Sequence, residues 1–194
     1  MSKESIWSYF KMQGLSDEAT AALMGNFECE SNNEACRVQG DITDPNRAAS
    51  KSYARQVNGG TISAYQFVRD QKGWGLAQWT YPTRKQALLE YCWNSGRGIE
   101  NEQAQLEFVM KELREDFPSL LNILMTSKDM KQMSDLICQN FENPAIKNYD
   151  ARYSEAQEIY NQLHGFEPQD QEPEEQTDRN AIIDQIISLL ERIR

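Results

Sequence analysis

The sequence predicts an α+β domain that is mostly α-helical, with two lobes and one small β-hairpin, followed by an acidic linker and a short amphipathic helix. Apolar residues recur at helical spacing through most of residues 1–165, and glycines and prolines separate the helical segments. Residues 71–82, QKGWGLAQWTYP, instead combine two glycines with alternating apolar residues, which is typical of a turn and a short strand. The composition then changes near residue 165, where the globular pattern ends.

The helical segments have recognisable ends. Residues 4–13 predict a first helix that ends at Gly14, and Ser16 is the expected N-cap of a second helix that runs to about Glu30. The segments expected after it run from Asp44-Pro45 to Gly59-Gly60 and over about 62–69, 82–95, 101–115, 128–142 and 147–163.

Residues 166–194 form two further predicted parts. Residues 166–180, FEPQDQEPEEQTDRN, hold six acids, one base and two prolines, which predicts an extended, self-repelling linker. In residues 181–194 an apolar stripe predicts an amphipathic helix for oligomerisation or tethering. Because so short a helix is marginal alone, we expect it to pack on another copy, a neighbouring domain or a groove, unless it is a frayed fragment end. The stripe consists of Ile182, Ile186, Leu189 and Ile193.

Composition excludes several function classes. The 194 residues include 30 acids and 20 bases, and the net charge of −10 argues against a nucleic-acid or anionic-membrane surface. His164 is the only histidine, so a histidine-rich zinc site and Ser–His or Cys–His catalysis are poor hypotheses. Residues 41–46 lack the glycine and terminal glutamate of a calcium loop, and we expect no metal and no cofactor. No apolar run reaches 18 residues and the first residues lack a long apolar stretch, so we expect neither a spanning helix nor a signal peptide.

Four cysteines leave two interpretations open. Their spacing contains no C-x-x-C, which argues against a metal or thioredoxin-like motif. Free buried thiols are the simpler interpretation, because unpaired cysteine is among the most buried residue types. A Cys29–Cys36 disulfide is the alternative. The remaining two cysteines are Cys92 and Cys138.

Glu30 is the first candidate for catalysis. In the second predicted helix, Leu23, Phe27 and Glu30 lie within about 60° of one another at 100° per residue, whereas Glu28 points about 140° away from Leu23. A carboxyl group that continues an apolar stripe is expected to be partly desolvated, which favours its protonated form, as a general acid requires. The alternative is that Glu30 only caps or bridges a helix end.

The predicted hairpin is the second candidate. Trp74, Trp79 and Tyr81 fall in one short stretch with Gln78. Flat aromatic faces beside an amide suit a sugar, which has apolar C–H faces rimmed by polar groups. The alternative is a core hairpin in which one or more of the tryptophans only pack.

Together these motifs resemble the phage tail lysozyme family. The chain has GNFECES at 25–31, GWGLAQWTYPTRKQALLEY at 73–91 and FENPAIKNYDARYSEAQEIY at 141–160, which are similar to successive motifs of that family over about residues 4–164. The resemblance implies a lysozyme-like fold and cleavage of the glycan strands of peptidoglycan. It maps the family's catalytic glutamate onto Glu30 and its glycine–aromatic–glycine hairpin onto residues 73–79, with Gln78 lining the cleft.

The second catalytic group is left open by the resemblance. Gly73 stands where animal-type lysozymes place an aspartate, and Asp70 is the nearest substitute. Without an acid opposite Glu30, the substrate acetamide could assist, or the sugar's 6-hydroxyl could attack as in a lytic transglycosylase. Tyr149 lies where lytic enzymes of this kind often bring a tyrosine towards the glutamate, although a packing role is the alternative.

The sequence-based hypothesis is therefore a muramidase. It would cleave the β-1,4 bond between N-acetylmuramic acid and N-acetylglucosamine, acting from a virion tail or outside the cell. Glu30 would protonate the leaving oxygen and Asp70 or Gln78 would orient water. The alternatives are a lytic transglycosylase and a non-catalytic module that binds peptidoglycan or forms part of a tail tip. The predicted substrate-binding residues are Gln78, Trp74, Trp79, Tyr81 and Tyr149.

Overall fold

Nine α-helices and one π-helical turn make up the regular structure of the part of the chain that is described. A computed structural model describes residues 2–41 and 43–166, so the predicted linker and C-terminal helix lie outside the described residues. The helices are α1 (Lys3–Met12), α2 (Asp17–Ser31), α3 (Ala48–Asn58), α4 (Ala64–Arg69), α5 (Pro82–Asn94), α6 (Glu102–Glu115), α7 (Pro118–Thr126), α8 (Met130–Leu136) and α9 (Tyr149–Leu163). The π-helical turn, Ile137–Glu142, continues directly from α8.

Local signals explain most of the helix boundaries. The Ser16 side chain accepts a hydrogen bond from the Ala19 amide, which confirms it as the N-cap of α2. Two predicted boundaries were wrong. Asp44 accepts from the Asn46 and Ala48 amides and so forms a turn before α3 rather than opening that helix. No helix was predicted between the segments 101–115 and 128–142, but Pro118 begins α7 there from the first-turn position that proline tolerates.

The centre of the core is α2, whose residues from Ala19 to Phe27 are all buried. This helix packs against α1, α8, the π-helical turn and, most extensively, α9. At the crossing with α9, a Cβ atom on Gly25 would lie 2.5 Å from the backbone nitrogen of Ala156. The two helices are therefore in backbone contact, which only glycine permits at that position.

The predicted β-hairpin is not confirmed, although the mostly helical fold is. Residues 2–41 and 43–166 contain no β-strand, and residues 73–79 form only isolated bridges, between Trp74 and Trp79 and between Trp74 and Val38. Side chains and loop carbonyls replace the missing ladder: the Gly75 amide donates to the Arg37 carbonyl and the Leu76 amide to Gln105 Oε1. The segment is thus a tight turn in which Trp74 and Trp79 exchange backbone hydrogen bonds, while the amides of Gly75 and Leu76 are satisfied from outside it.

Candidate catalytic site

Glu30 lies in the last turn of α2, at the place where that helix meets the turn formed by residues 73–79. The next residue, Ser31, is buried and donates a hydrogen bond to the carbonyl of Leu76 at 2.8 Å. This contact fixes the end of the helix against the turn. The Glu30 side chain is 18% exposed, so it is mostly buried but open to solvent on one side.

Arg152 is the partner of the Glu30 carboxylate. It lies in the first turn of α9, its side chain is 5% exposed, and its Nη2 donates to Glu30 Oε1. Its Nη1 lies 3.1 Å from Oδ1 and 3.3 Å from the carbonyl oxygen of Asn26 on α2. Burial alone lowers the pKa of Arg152, but the hydrogen bond to Glu30 and the negative charge of that carboxylate outweigh burial, so the pKa is raised. The ion pair also agrees with the sequence alternative in which Glu30 bridges a helix end.

A second carboxyl group, Glu142, interacts electrostatically with this ion pair. It is the last residue of the π-helical turn, it is 9% exposed, and its Oε1 is buried without a hydrogen-bond partner among the described residues. Burial first, and the negative charge of Glu30 second, raise the pKa of Glu142 well above its ordinary value of 4.5, although Arg84 and Arg152 act in the opposite direction. The neutral acid is therefore the favoured form of Glu142 well above pH 4.5.

The π-helical turn is held in place by Arg84 of α5. Arg84 Nη1 donates to the carbonyl of Phe141 at 2.7 Å, and its guanidinium lies 4.6 Å from the centre of that residue's ring. Arg84 also pairs with Glu112 of α6 through two hydrogen bonds, of 2.6 and 2.8 Å. Glu112 in turn accepts from Trp79 Nε1 at 2.9 Å. A continuous chain of polar contacts thus runs from the turn at residues 73–79 to the backbone beside Glu142.

Asp70 lies in a different part of the polar network. As the C-cap of α4 it accepts a hydrogen bond from Tyr53 and, at 2.5 Å, from Lys85 Nζ, whose side chain is fully buried. Burial lowers the pKa of Lys85, and the hydrogen bond and charge of Asp70 oppose that effect. Asp70 therefore compensates a buried ammonium group between α3, α4 and α5. No contact between Asp70 and Glu30 is found among the described residues.

The two tryptophans of the turn are both core residues. Trp74 and Trp79 are at most 1% exposed, and Trp74 Nε1 donates to the carbonyl of Ile99. The burial of both rings agrees with the alternative in which these tryptophans pack in the core instead of stacking on a sugar. Gln78 is half-buried, and its amide nitrogen donates to the carbonyls of Gly75 and Arg37, which stabilises the turn.

The two predicted tyrosines are more accessible. Tyr81 is 55% exposed and precedes the first residue of α5. Tyr149 is half-buried and begins α9, three residues before Arg152, so the two share one face of that helix. Tyr149 is thus the predicted substrate-binding residue that shares a helix with Arg152, the partner of Glu30.

The described part of the chain was also compared with the requirements of a metal site, a membrane span and a disulfide. Residues 2–41 and 43–166 contain no group of three His, Cys, Asp or Glu side chains that could hold a metal ion. No helix within those residues is long and apolar enough to span a membrane. All four cysteines are free: Cys92 and Cys138 are buried, Cys36 is half-buried and Cys29 is exposed.

A mostly helical fold with a half-buried acid at the end of its central helix fits the lysozyme-like class of proteins. The model of one family, described as phage tail lysozyme, matches residues 2–163. The chain therefore belongs to the phage tail lysozyme family, as the sequence motifs predicted. Membership indicates a lysozyme-like, peptidoglycan-degrading function and a virion or extracellular role. A comparison with curated proteins finds no match.

Sequence reasoning missed Arg152, Arg84 and Glu142 as parts of this site. All three residues stand in the motifs that carry the family resemblance, but no local pattern assigned them a role. The Glu30–Arg152 contact joins residues 122 positions apart, and helical periodicity carries no information about such a pair.

Proposed function

We propose that this protein is a muramidase that cleaves the β-1,4 bond between N-acetylmuramic acid and N-acetylglucosamine, with Glu30 as the general acid. The observation that carries the proposal is the position of Glu30: a mostly buried but solvent-accessible carboxyl group at the end of the central buried helix, beside the turn formed by residues 73–79. Family membership supports peptidoglycan as the substrate.

In the proposed reaction, protonated Glu30 gives its proton to the glycosidic oxygen. The bond between that oxygen and the anomeric carbon breaks, its electron pair stays with the oxygen, and an oxocarbenium-like transition state develops. Glu30 becomes a carboxylate during this step. Arg152 donates to that carboxylate, so its stabilising effect is greatest as the proton leaves. Water then adds to the anomeric carbon, releases a proton and leaves a new reducing end.

Substrate contacts in this proposal fall to the accessible aromatic residues. Tyr81 is more than half exposed and Tyr149 lies one turn from Arg152, so both can present a ring face to a sugar. For Trp74 and Trp79 we propose packing roles, because their rings are buried. We propose that Asp70 stabilises the buried Lys85 rather than orienting the attacking water.

The proposal is tested by digesting purified peptidoglycan with the full chain and identifying the released fragments by mass spectrometry. Fragments with new reducing N-acetylmuramic acid ends are expected. Fragments with 1,6-anhydro ends would replace the muramidase by a lytic transglycosylase. Protein that sediments with peptidoglycan but releases no fragments would instead identify a non-catalytic binding module.

A further inference from the structure

Tyr65 and Trp93 form two aromatic walls of a surface cleft between α4 and α5. Tyr65 is 70% exposed and Trp93 is 46% exposed, whereas the other three tryptophans of the chain are at most 1% exposed. Val68 of α4 and Leu89 of α5 are buried and give the cleft an apolar floor. The cleft has a volume of about 290 Å³, which is close to the lower end of the range for small-molecule sites.

Three polar side chains border the same cleft: Arg69 of α4, and Gln86 and Glu90 of α5. Gln86, Glu90 and Trp93 follow one another at intervals of one helical turn, so they share one face of α5. Gln86 Nε2 donates to Glu90 Oε1 at 2.8 Å, which leaves Glu90 Oε2 and the Gln86 carbonyl oxygen to accept from a ligand. The Arg69 guanidinium lies 4.9 Å from the centre of the Tyr65 ring and forms no hydrogen bond or ion pair with a described residue. Its N–H groups are therefore available as donors.

The chemistry of the cleft favours a sugar over an ionic ligand. Arg69 and Glu90 carry opposite charges, so the rim as a whole is neutral and attracts neither anions nor cations strongly. An N-acetylhexosamine ring has apolar C–H faces, which pack on aromatic rings, and hydroxyl and acetamide groups that both donate and accept hydrogen bonds. The two aromatic walls, the donors of Arg69 and the acceptors of Gln86 and Glu90 match these features.

We propose that the α4–α5 cleft is a second glycan-binding site, in which Tyr65 and Trp93 hold one N-acetylhexosamine unit of a peptidoglycan strand. The inference rests on the proposed function, which supplies the identity of the polymer. The cleft is separate from the candidate catalytic site, because Glu30 and Arg152 contact each other and Asn26 rather than any residue of the cleft.

The net charge of the chain explains what a second site contributes. At −10, the chain has no long-range attraction for a polymer whose peptides carry carboxyl groups, so its affinity has to come from direct contacts. A strand held in the cleft stays close to the protein, which raises the effective concentration of its glycosidic bonds at Glu30. The cleft should therefore affect KM for the polymer and leave the chemical step unchanged.

Sedimentation with insoluble peptidoglycan tests the proposal in the full chain carrying Glu30→Gln, which is expected to leave the polymer intact. Adding Tyr65→Ala/Trp93→Ala should raise the Kd for peptidoglycan by about tenfold, because both aromatic walls are lost. Met12→Ala removes an apolar side chain on α1 that is 66% exposed, and this control should change the Kd by less than about twofold. Unchanged binding by the Tyr65→Ala/Trp93→Ala protein would overturn the inference and leave the cleft to a protein partner or a second copy of the chain.

The fluorescence of Trp93 tests the same contact without removing either aromatic wall. Trp93 is the one exposed tryptophan of the chain, so stacking of a soluble N-acetylglucosamine oligomer on its ring should shift its emission to shorter wavelength. Trp93→Phe should abolish the shift. Absence of oligomer binding in calorimetry, binding without the shift, or a shift that persists in Trp93→Phe would overturn the inference.

Failure of the proposed function gives a different pattern from failure of this inference. A chain that releases no glycan fragments but sediments with peptidoglycan through Tyr65 and Trp93 would refute the proposed function and support the second site. A chain that lyses peptidoglycan with the same KM after Tyr65→Ala/Trp93→Ala would do the reverse. If both proposals are correct, this variant should have a KM about tenfold higher and an unchanged kcat, because the cleft binds the substrate and the transition state equally.

Discussion

The contact between α2 and α9 predicts the effect of replacing Gly25 by alanine. Helix propensity alone predicts that Gly25→Ala stabilises the protein by about 1 kcal/mol, because glycine is unfavourable in a helix interior. The new Cβ, however, would lie 2.5 Å from the nitrogen, 2.7 Å from Cα and 2.8 Å from Cβ of Ala156. Carbon atoms pack at about 3.5–4.0 Å, so α9 would have to move by about 1 Å.

Overpacking of this kind costs about 1–3 kcal/mol and sometimes more, and here the obstacle is backbone that cannot rotate away. We therefore expect Gly25→Ala to lower the free energy of unfolding by about 2 kcal/mol, or the Tm by roughly 4–8 °C for a chain of this length. Urea denaturation followed by circular dichroism measures the effect. Ser154→Ala, at an exposed position of α9, serves as a control and should change stability by less than about 0.5 kcal/mol.

Two results would refute this reasoning. The first is a Gly25→Ala protein that is more stable than the wild type, as propensity alone predicts. The second is full recovery in Gly25→Ala/Ala156→Gly, because removing the Ala156 side chain leaves the closest backbone atoms in place. Gly25→Ala alone should also reduce lysis, because Arg152 lies one turn from Ala156 on α9. A shift of about 1 Å in a catalytic group can lower the reaction rate 10²-fold.

Two further predictions concern the buried Asp70–Lys85 ion pair and the free cysteines. Asp70→Asn leaves the Lys85 ammonium buried without a counter-charge and should destabilise the protein by about 3 kcal/mol or more in urea denaturation. The double variant Asp70→Asn/Lys85→Met should recover much of this loss and lyse peptidoglycan near the wild-type rate. A stable double variant without activity would instead make Asp70 catalytic. Thiol labelling at pH 8 should modify the exposed Cys29 first and the half-buried Cys36 more slowly. Burial raises the pKa of Cys92 to about 12, so this thiol should react only after unfolding. Rapid labelling of Cys92 in the native protein would contradict its buried position.

The parts of the fold that were predictable are those encoded locally. Periodicity and capping placed the second helix, its Ser16 cap and Glu30 at its end, because each signal lies within a few residues of the structure it determines. The short helix beginning at Pro118 was missed because proline both ends and begins helices, and the residues around it do not decide between the two.

The parts that were not predictable depend on long-range contacts. Alternating apolar residues predicted a hairpin at residues 73–79, but the pairing there stops at the isolated Trp74–Trp79 bridge, and the amides of Gly75 and Leu76 donate to the Arg37 carbonyl and to Gln105 instead of to a partner strand. The same two tryptophans that suggested sugar binding are covered by helices that are distant in sequence. Arg152 and Glu142 gained their importance only when α9 and the π-helical turn packed on α2. Burial and ion pairing are products of the tertiary fold, so a local pattern cannot reveal them.

The most direct test of the central claim compares Glu30→Gln with Glu28→Gln in a peptidoglycan lysis assay. Both acids belong to α2, but Glu28 pairs with Lys3 and Asn33, whereas Glu30 pairs with Arg152. If Glu30 is the general acid, Glu30→Gln should lower the lysis rate by about 10²–10⁴-fold while circular dichroism shows a folded protein, and Glu28→Gln should stay within about threefold of the wild type. A folded Glu30→Gln protein that keeps most of its activity would contradict the claim, and loss of lysis in Glu28→Gln alone would assign the acid to Glu28.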